Sequence, residues 1–351
     1  MDRKTRKAAP SPARADRQDT AASDAPEVPD LPPRLILDMR AACNLKCPMC
    51  PLHGPQGDNF RADLVGEMTR EQAGKILDEV MAAKPLIQPQ MYGEPLLAHG
   101  LKERLLDIKA RGMAVAMNSN GLTLTDAMAR FFVENRIDAI FFSVDAVTSE
   151  TLEKVRGIDK LEKVENAVHR MLRIRGDAEY PRIGVSFTTQ EVNEAELEAF
   201  IEKWTPIVDC VRIGKVFENG QVRGLTVPEK RTPCPALYLT MTVHNDGTVS
   251  ACCMDAFRET NMGNVFKDGV RGVWHGPELT RMRHLHETGR TDEIPFCKNC
   301  NRWPSYQYKE EVKGGLLIRE SPEFTYYNRI DRLANWKGSL LGGHQVEPLA
   351  E

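Results

Sequence analysis

Apolar residues in this chain fall into short runs that alternate with amphipathic stretches from residue 34 onward. Residues 35–39 read as a first strand. Thr69-Arg-Glu-Gln72 is a capping box, and Ile76, Leu77, Val80 and Met81 recur behind it at helical spacing, which predicts a helix to about Ala83. A second strand is predicted at 86–91. Leu101, Leu105 and Ile108 mark the next helix, with Gly112 as its stop, and 113–117 is a third strand. Further strands are predicted at 139–144, 183–188 and 208–213, separated by helices around 126–134, 161–173 and 194–204. Repeated β-α units of this kind build a parallel sheet, and about six fit, fewer than the eight of a closed barrel.

The pattern changes on either side of these units. Residues 1–32 are rich in Ala, Pro, Asp and Arg. With almost no large apolar side chains they cannot offset their own ordering entropy, so a disordered tail is expected. The β-α units occupy 33–229. In 230–303, residues 240–249 read as a hairpin with Asp246-Gly247 in its turn. This second, smaller unit has too thin a core to stand alone, so metal-binding thiolates would contribute to its folding. The C-terminal extension, 304–351, carries Tyr306, Tyr308, Phe324, Tyr326, Tyr327 and Trp336 and is expected to pack back on the body.

Composition narrows the function classes. A chain of 351 residues, 41% of them hydrophobic, buries a substantial core, as one large domain or one large plus one small. The net charge of -3, with Lys and Arg interspersed among acids, gives no footprint for nucleic acid. No apolar run approaches the roughly 20 residues of a membrane span, and the N-terminus lacks a secretory core, so a cytoplasmic protein with no membrane partner is expected. Nine cysteines in a reducing compartment serve metals or catalysis rather than disulfides.

Cys43-Asn-Leu-Lys-Cys47-Pro-Met-Cys50 places three thiolates in one loop after the first strand, close enough for three corners of a cubane cluster. His53 is the only nearby candidate for a fourth ligand, and would make a Cys3His zinc site. An incomplete cluster fits the context better. An iron with a free position can chelate the amino and carboxylate groups of S-adenosylmethionine (SAM) and pass an electron to its sulfonium.

This CxxxCxxC loop followed by β-α repeats resembles the radical SAM superfamily over roughly residues 34–300. The resemblance implies a [4Fe-4S] cluster on Cys43, Cys47 and Cys50, SAM as co-substrate, and an external electron donor such as flavodoxin or ferredoxin. Tyr92-Gly-Glu-Pro95 resembles the family's Gly-Gly-Glu-Pro segment, so Tyr92, Gly93 and Glu94 are expected at the SAM ammonium, with Glu94 as its acceptor. Asn118-Ser-Asn-Gly121 resembles its Thr-Asn-Gly segment and brings in Asn118 and Asn120. Ser143 and Asp145 match positions that contact the ribose or methionine moiety, and Arg156 resembles a residue that pairs with the SAM carboxylate. Met49 stands where many members carry an aromatic residue.

Cys234, Cys252, Cys297 and Cys300 form a second group that could be a zinc ribbon. The layout is similar to the twitch domain, the shortened SPASM domain with its auxiliary [4Fe-4S] cluster, and Gly263-Asn-Val265 and Trp274 look like its linker. Such a cluster, fully ligated, would transfer electrons or shape the substrate pocket. Cys253, beside Cys252, is a packed thiol, an alternate ligand, or a hydrogen-atom donor as in radical SAM epimerases. Cys210 reads as a core thiol. The resemblance therefore implies an α/β fold, a partial (β/α)6 radical SAM barrel with a small C-terminal SPASM/twitch-like domain. The implied activity is hydrogen abstraction from a small-molecule substrate (sugar, aminocyclitol or other carbinol), giving oxidation or epimerisation. A peptide-modifying maturase and a non-enzymatic zinc-binding interaction protein are the alternatives.

Overall fold

The computed structural model describes residues 26–54, 62–218 and 220–335. Six strands lie side by side in chain order and all parallel: β1 (Arg34–Leu37), β2 (Leu86–Gln88), β3 (Ala114–Ser119), β4 (Ala139–Ser143), β5 (Arg182–Thr189) and β6 (Cys210–Lys215). Between them run α1 (Arg70–Val80), α2 (Leu101–Ala110), α3 (Asp126–Glu134), α4 (Ser149–Arg156), α5 (Leu161–Arg175) and α6 (Leu197–Trp204). The capping box at Thr69 and Gln72 is formed, and α1 ends at Val80, a few residues before the expected stop. Helix α4 escaped the pattern because Leu152 and Val155 are its only large apolar side chains.

Strand alternation sorts the side chains onto two faces. Val115, Met117, Ile140, Phe142, Ile183, Val185 and Val211 turn outward into the apolar core under the helices. The positions between them, including Asn118, Phe141, Ser186 and Arg212, face inward.

Beyond β6 come a short hairpin, β7 (Phe217–Glu218) and β8 (Gln221–Val222), and then α7 (Ala236–Leu239), β9 (Thr240–Val243), β10 (Thr248–Ser250), β11 (Asn261–Asn264), α8 (Val265–Trp274), α9 (Pro277–Glu287) and α10 (Pro295–Lys298). The expected hairpin is β9 and β10, but it does not stand apart: β9 pairs in parallel with β1. Met241, Val243, Val273 and Trp274 lie in the same apolar core as the six-stranded body. A hairpin this short cannot bury itself, and the open edge of β1 supplies both backbone partners and apolar cover. Glu79 of α1 reinforces the join by accepting from the backbone N–H of Val270 and Arg271 in α8, at 2.7 and 2.8 Å.

The C-terminal extension forms β12 (Lys309–Lys313), β13 (Leu316–Glu320) and β14 (Phe324–Arg329), with β14 antiparallel to β6. One sheet thus runs in the order β11-β10-β9-β1-β2-β3-β4-β5-β6-β14-β13-β12. Of the expected disordered tail, residues 1–25 lie outside the described residues. The remainder is a correction to that expectation: Trp274 donates its indole N–H to the Pro29 carbonyl at 2.8 Å, Arg271 pairs with Asp30, and Leu31 is buried. Local composition carried no trace of these partners from α8. Among the described residues no helix is long and apolar enough to cross a membrane.

Candidate active site

The first cysteine loop leaves the end of β1 and is held by its own backbone. Cys50 N–H donates to the Cys47 carbonyl and Gly54 N–H to the Cys50 carbonyl, both at 2.9 Å. The N–H groups of Leu45 and His53 point at the sulfurs of Cys43 and Cys50, each at 3.4 Å. Burial pushes the free Cys43 thiol up to about 11, and Glu94, Cys47 and Cys50 nearby push the same way. Cys50 is likewise raised by burial. His53 donates its Nε2 proton to the Ala41 carbonyl at 2.7 Å, so that nitrogen is engaged within the loop.

Loop 92–95 presses against this one. Glu94 N–H donates to the Ala42 carbonyl at 3.0 Å, and a Cβ added at Gly93 would lie 1.9 Å from the Arg40 carbonyl oxygen. Backbone meets backbone there, so no rotamer change relieves the contact. Gly93→Ala is therefore expected to displace the cysteine loop and lower the iron held there, measured as iron per chain and visible absorbance after anaerobic reconstitution. Gly74→Ala, where nothing lies within 4 Å in α1, should leave iron unchanged; equal iron in both variants would disprove the close-approach argument.

Glu94 is buried and accepts three hydrogen bonds: from Ser119 Oγ at 2.7 Å, Asn120 N–H at 2.8 Å and Leu96 N–H at 3.1 Å. Burial raises its carboxyl and these three donors pull against that. A carboxylate has about four lone-pair positions, so one acceptor site is left for an ammonium. Asn120 is committed to the loops around it, donating to Asn44 Oδ1 at 2.8 Å and accepting from Leu122 N–H at 3.0 Å. Asn118 accepts from Arg212 at 2.9 Å.

Asp145 is wholly buried, in a left-handed backbone conformation with φ of 61°. Its Oδ2 accepts from Arg156 Nε at 2.6 Å and its Oδ1 from Thr188 N–H at 2.6 Å, while Asn193 donates to its carbonyl at 3.0 Å. Arg156 also points Nη1 at the Cys47 sulfur, 3.9 Å away. Burial opposes the Arg156 charge, but Asp145 and the Cys47 thiol outweigh it and hold the proton more firmly than usual. Ser143 pairs in register with Ser186. The structure thus gathers Glu94, Asn120, Asp145 and Arg156 around the first cysteine loop, with Arg156 occupied by Asp145.

The second group closes from three segments. Cys300 N–H donates to the Cys297 carbonyl at 3.1 Å, Arg302 N–H points at the Cys300 sulfur at 3.4 Å, and Cys234 N–H donates to His286 Nδ1 at 3.3 Å. Burial lifts Cys234 to about 11, with Cys300 among the neighbours adding to it, and Cys297 to about 12, with Cys234 and Cys300 adding. Cys252 is raised well above its usual value, by burial and then by Cys253 and Cys234. The other three expected ligands therefore all lie within electrostatic reach of Cys234.

Tyr92 joins the two groups. Its hydroxyl donates to the Cys253 carbonyl at 2.9 Å, and its phenol is raised first by burial and then by Cys253, Cys252 and Cys50. Around it lie residues that pattern alone did not single out: Arg302 paired with Glu323 at 2.7 Å, Tyr306, and Arg34 on β1. Only the inward alternation of Arg34 could have pointed to one of them.

Two donor sets built on cysteine sulfur suit iron-sulfur chemistry. Among the described residues no three His, Cys, Asp or Glu side chains converge tightly enough to hold a single metal ion; the corners of a cubane lie farther apart than the ligands of one ion. Iron binding draws protons from buried thiols that otherwise keep them.

Residues 39–203 match the radical SAM superfamily, and residues 234–301, which span the second cysteine group, match the SPASM iron-sulfur cluster-binding domain. The chain carries a radical SAM domain followed by a C-terminal SPASM domain. It is similar, at 28% identity, to the tungsten-containing aldehyde ferredoxin oxidoreductase cofactor-modifying protein of Pyrococcus furiosus, over 76% of this chain and 86% of that one. Its fold is that of BtrN in complex with AdoMet and 2-DOIA (TM-score 0.53, 18% identity, 77% of this chain and 93% of the other). It is also that of Streptococcus suis SuiB bound to precursor peptide SuiA (TM-score 0.57, 13% identity, 73% and 67%). A radical SAM enzyme of this class uses a [4Fe-4S] cluster with SAM, and its SPASM domain holds auxiliary iron-sulfur. The zinc-binding module is thereby set aside.

Proposed function

We propose that this enzyme takes a hydrogen atom from a small polar molecule, a sugar, aminocyclitol or other carbinol, held on the inner face of the sheet between the two cysteine groups. When bound at Cys43, Cys47 and Cys50, the cluster and SAM supply a 5′-deoxyadenosyl radical as the hydrogen acceptor. The observation that carries the reading is the lining between the two groups: half-buried Tyr92 and Cys253 and buried Arg302, Glu323 and Tyr306 form a polar wall. Such a wall matches hydroxyl and amino groups better than an apolar peptide side chain. A relative whose name describes modification of a cofactor is in keeping with small-molecule chemistry.

Cys253 decides the product. Tyr92 fixes its backbone, and its thiol lies near enough to Arg34, Tyr92 and Tyr306 to affect their charge. Returning a hydrogen atom from this S–H to the substrate carbon gives the epimer and leaves a sulfur-centred radical, which an external electron donor and a proton restore to the thiol. Without that return, loss of the hydroxyl proton and of an electron, which an auxiliary cluster held by Cys234, Cys252, Cys297 and Cys300 would accept, gives a ketone.

Turnover in deuterated buffer separates the two. Epimerisation by Cys253 is expected to place a single solvent deuterium in a product of unchanged oxidation level, and Cys253→Ala to lose that product while still forming 5′-deoxyadenosine. Normal epimer formation by Cys253→Ala would remove this residue from the mechanism, and a ketone would select oxidation. A covalently altered peptide, seen by intact-mass spectrometry, would overturn the small-molecule reading itself.

A further inference from the structure

The inward positions of β1 to β6 and β14 carry three arginines, Arg34, Arg182 and Arg212, and no carboxylate. Arg34 donates to Gln88, and Arg182 to Asn328 at 2.7 Å. The third is Arg212. Its guanidinium stacks 4.8 Å from the centre of the Phe141 ring and gives one N–H to Asn118, and among the described residues it makes no ion pair. The acids nearest the chamber are engaged elsewhere, Glu323 with Arg302 and Asp145 with Arg156.

Directly across the β6–β14 ladder from Arg212 stands Tyr326. It is 4% exposed, and among the described residues its hydroxyl has no hydrogen-bond partner. An enclosed hydroxyl without a partner and a partly buried cation without an anion are each costly. One ligand relieves both: an oxyanion can accept from the planar guanidinium fork and from the phenol together. The pair also sits in register with Ser186 and Ser143, the row that ends at the site around Asp145.

We propose that Arg212 and Tyr326 dock an anionic group, carboxylate or phosphate, of the substrate, so that the substrate is a hydroxy acid, sugar acid or sugar phosphate rather than a neutral sugar. This rests on the reading of the inner face as the substrate chamber. The same chemistry could come from the carboxylate of SAM, and the test has an arm for each source.

The reconstituted holoenzyme is titrated with sodium acetate and with inorganic phosphate at constant ionic strength, and the anion concentration giving half the maximal rise in unfolding temperature is read. The wild type should respond to at least one anion. Arg212→Gln should need about tenfold more, the size of one lost charge-assisted bond, and Tyr326→Phe, which removes only a hydroxyl, should shift in the same direction by less. Iron content and SAM affinity, measured by equilibrium binding, should stay within about twofold in both variants. A wild type indifferent to both anions, or an unchanged response in Arg212→Gln, overturns the proposal. Loss of SAM affinity in Arg212→Gln, with no anion response once SAM is bound, assigns the pair to the cofactor and overturns it equally. None of these outcomes bears on whether the substrate is a small molecule, which the product analysis above decides separately.

Discussion

Cys47→Ala is expected to abolish formation of 5′-deoxyadenosine from SAM and to lower iron after anaerobic reconstitution from about eight to about four per chain. Cys47 is the most enclosed of the three loop thiols, and the Arg156 guanidinium lies 3.9 Å from its sulfur. Its neighbours cannot take its place. Cys43 and Cys50 are fixed by the N–H groups of Leu45 and His53, and the closest imidazole nitrogen is engaged with Ala41. Cys210→Ala is the matched control. That thiol is equally buried but packs among Ala139, Phe141 and Tyr326, away from both groups, so its loss should leave iron and SAM cleavage intact. Full iron content in Cys47→Ala, or iron loss in Cys210→Ala, would contradict the assignment of the loop.

Arg156→Ala is expected to destabilise the holoenzyme by about 3–5 kcal/mol, because it strands the Asp145 carboxylate inside the protein without its cation. Asp145 has no exposed surface, and the φ of 61° fixes it where only Arg156, Thr188 and Asn193 can serve it. Adding Asp145→Asn should recover part of the loss, since a neutral amide no longer needs a cation; the coupling is read from a double-mutant cycle by denaturant unfolding. A cost under about 1 kcal/mol for Arg156→Ala would mean that the pair does little for the fold, and would return Arg156 to the carboxylate-binding part that the family resemblance gave it.

The six β-α units were legible because each strand is a short apolar run and each helix an apolar stripe, and the cysteine groups were legible because metal sites need fixed residue types at short spacing. What escaped depended on distant partners. Arg212 and Tyr326 lie far apart in sequence and meet only because β14 pairs with β6, a pairing with no local signature in an extension whose outermost strand, β12, is exposed at every position. The seating of β9 on β1 was hidden for the same reason, since a hairpin turn announces its own two strands and not the third strand beside them. The family segments pointed to Glu94, Asn120 and Arg156, but only coordinates reveal how many of their valences neighbouring loops already occupy.

The place of β1 has a consequence for how the protein comes into being. Its residues leave the ribosome well before those of one of its two neighbours, β9, which begins only at Thr240, after all six β-α units. Until then the growing chain exposes a bare strand edge directly before its first cysteine loop, and Tyr92 has no Cys253 carbonyl to grip. Folding that depends on so distant a pairing is slow. The cell therefore has to shield this edge, and keep oxygen and stray metals from three open thiols, until β9 and the Cys253 segment have been synthesised.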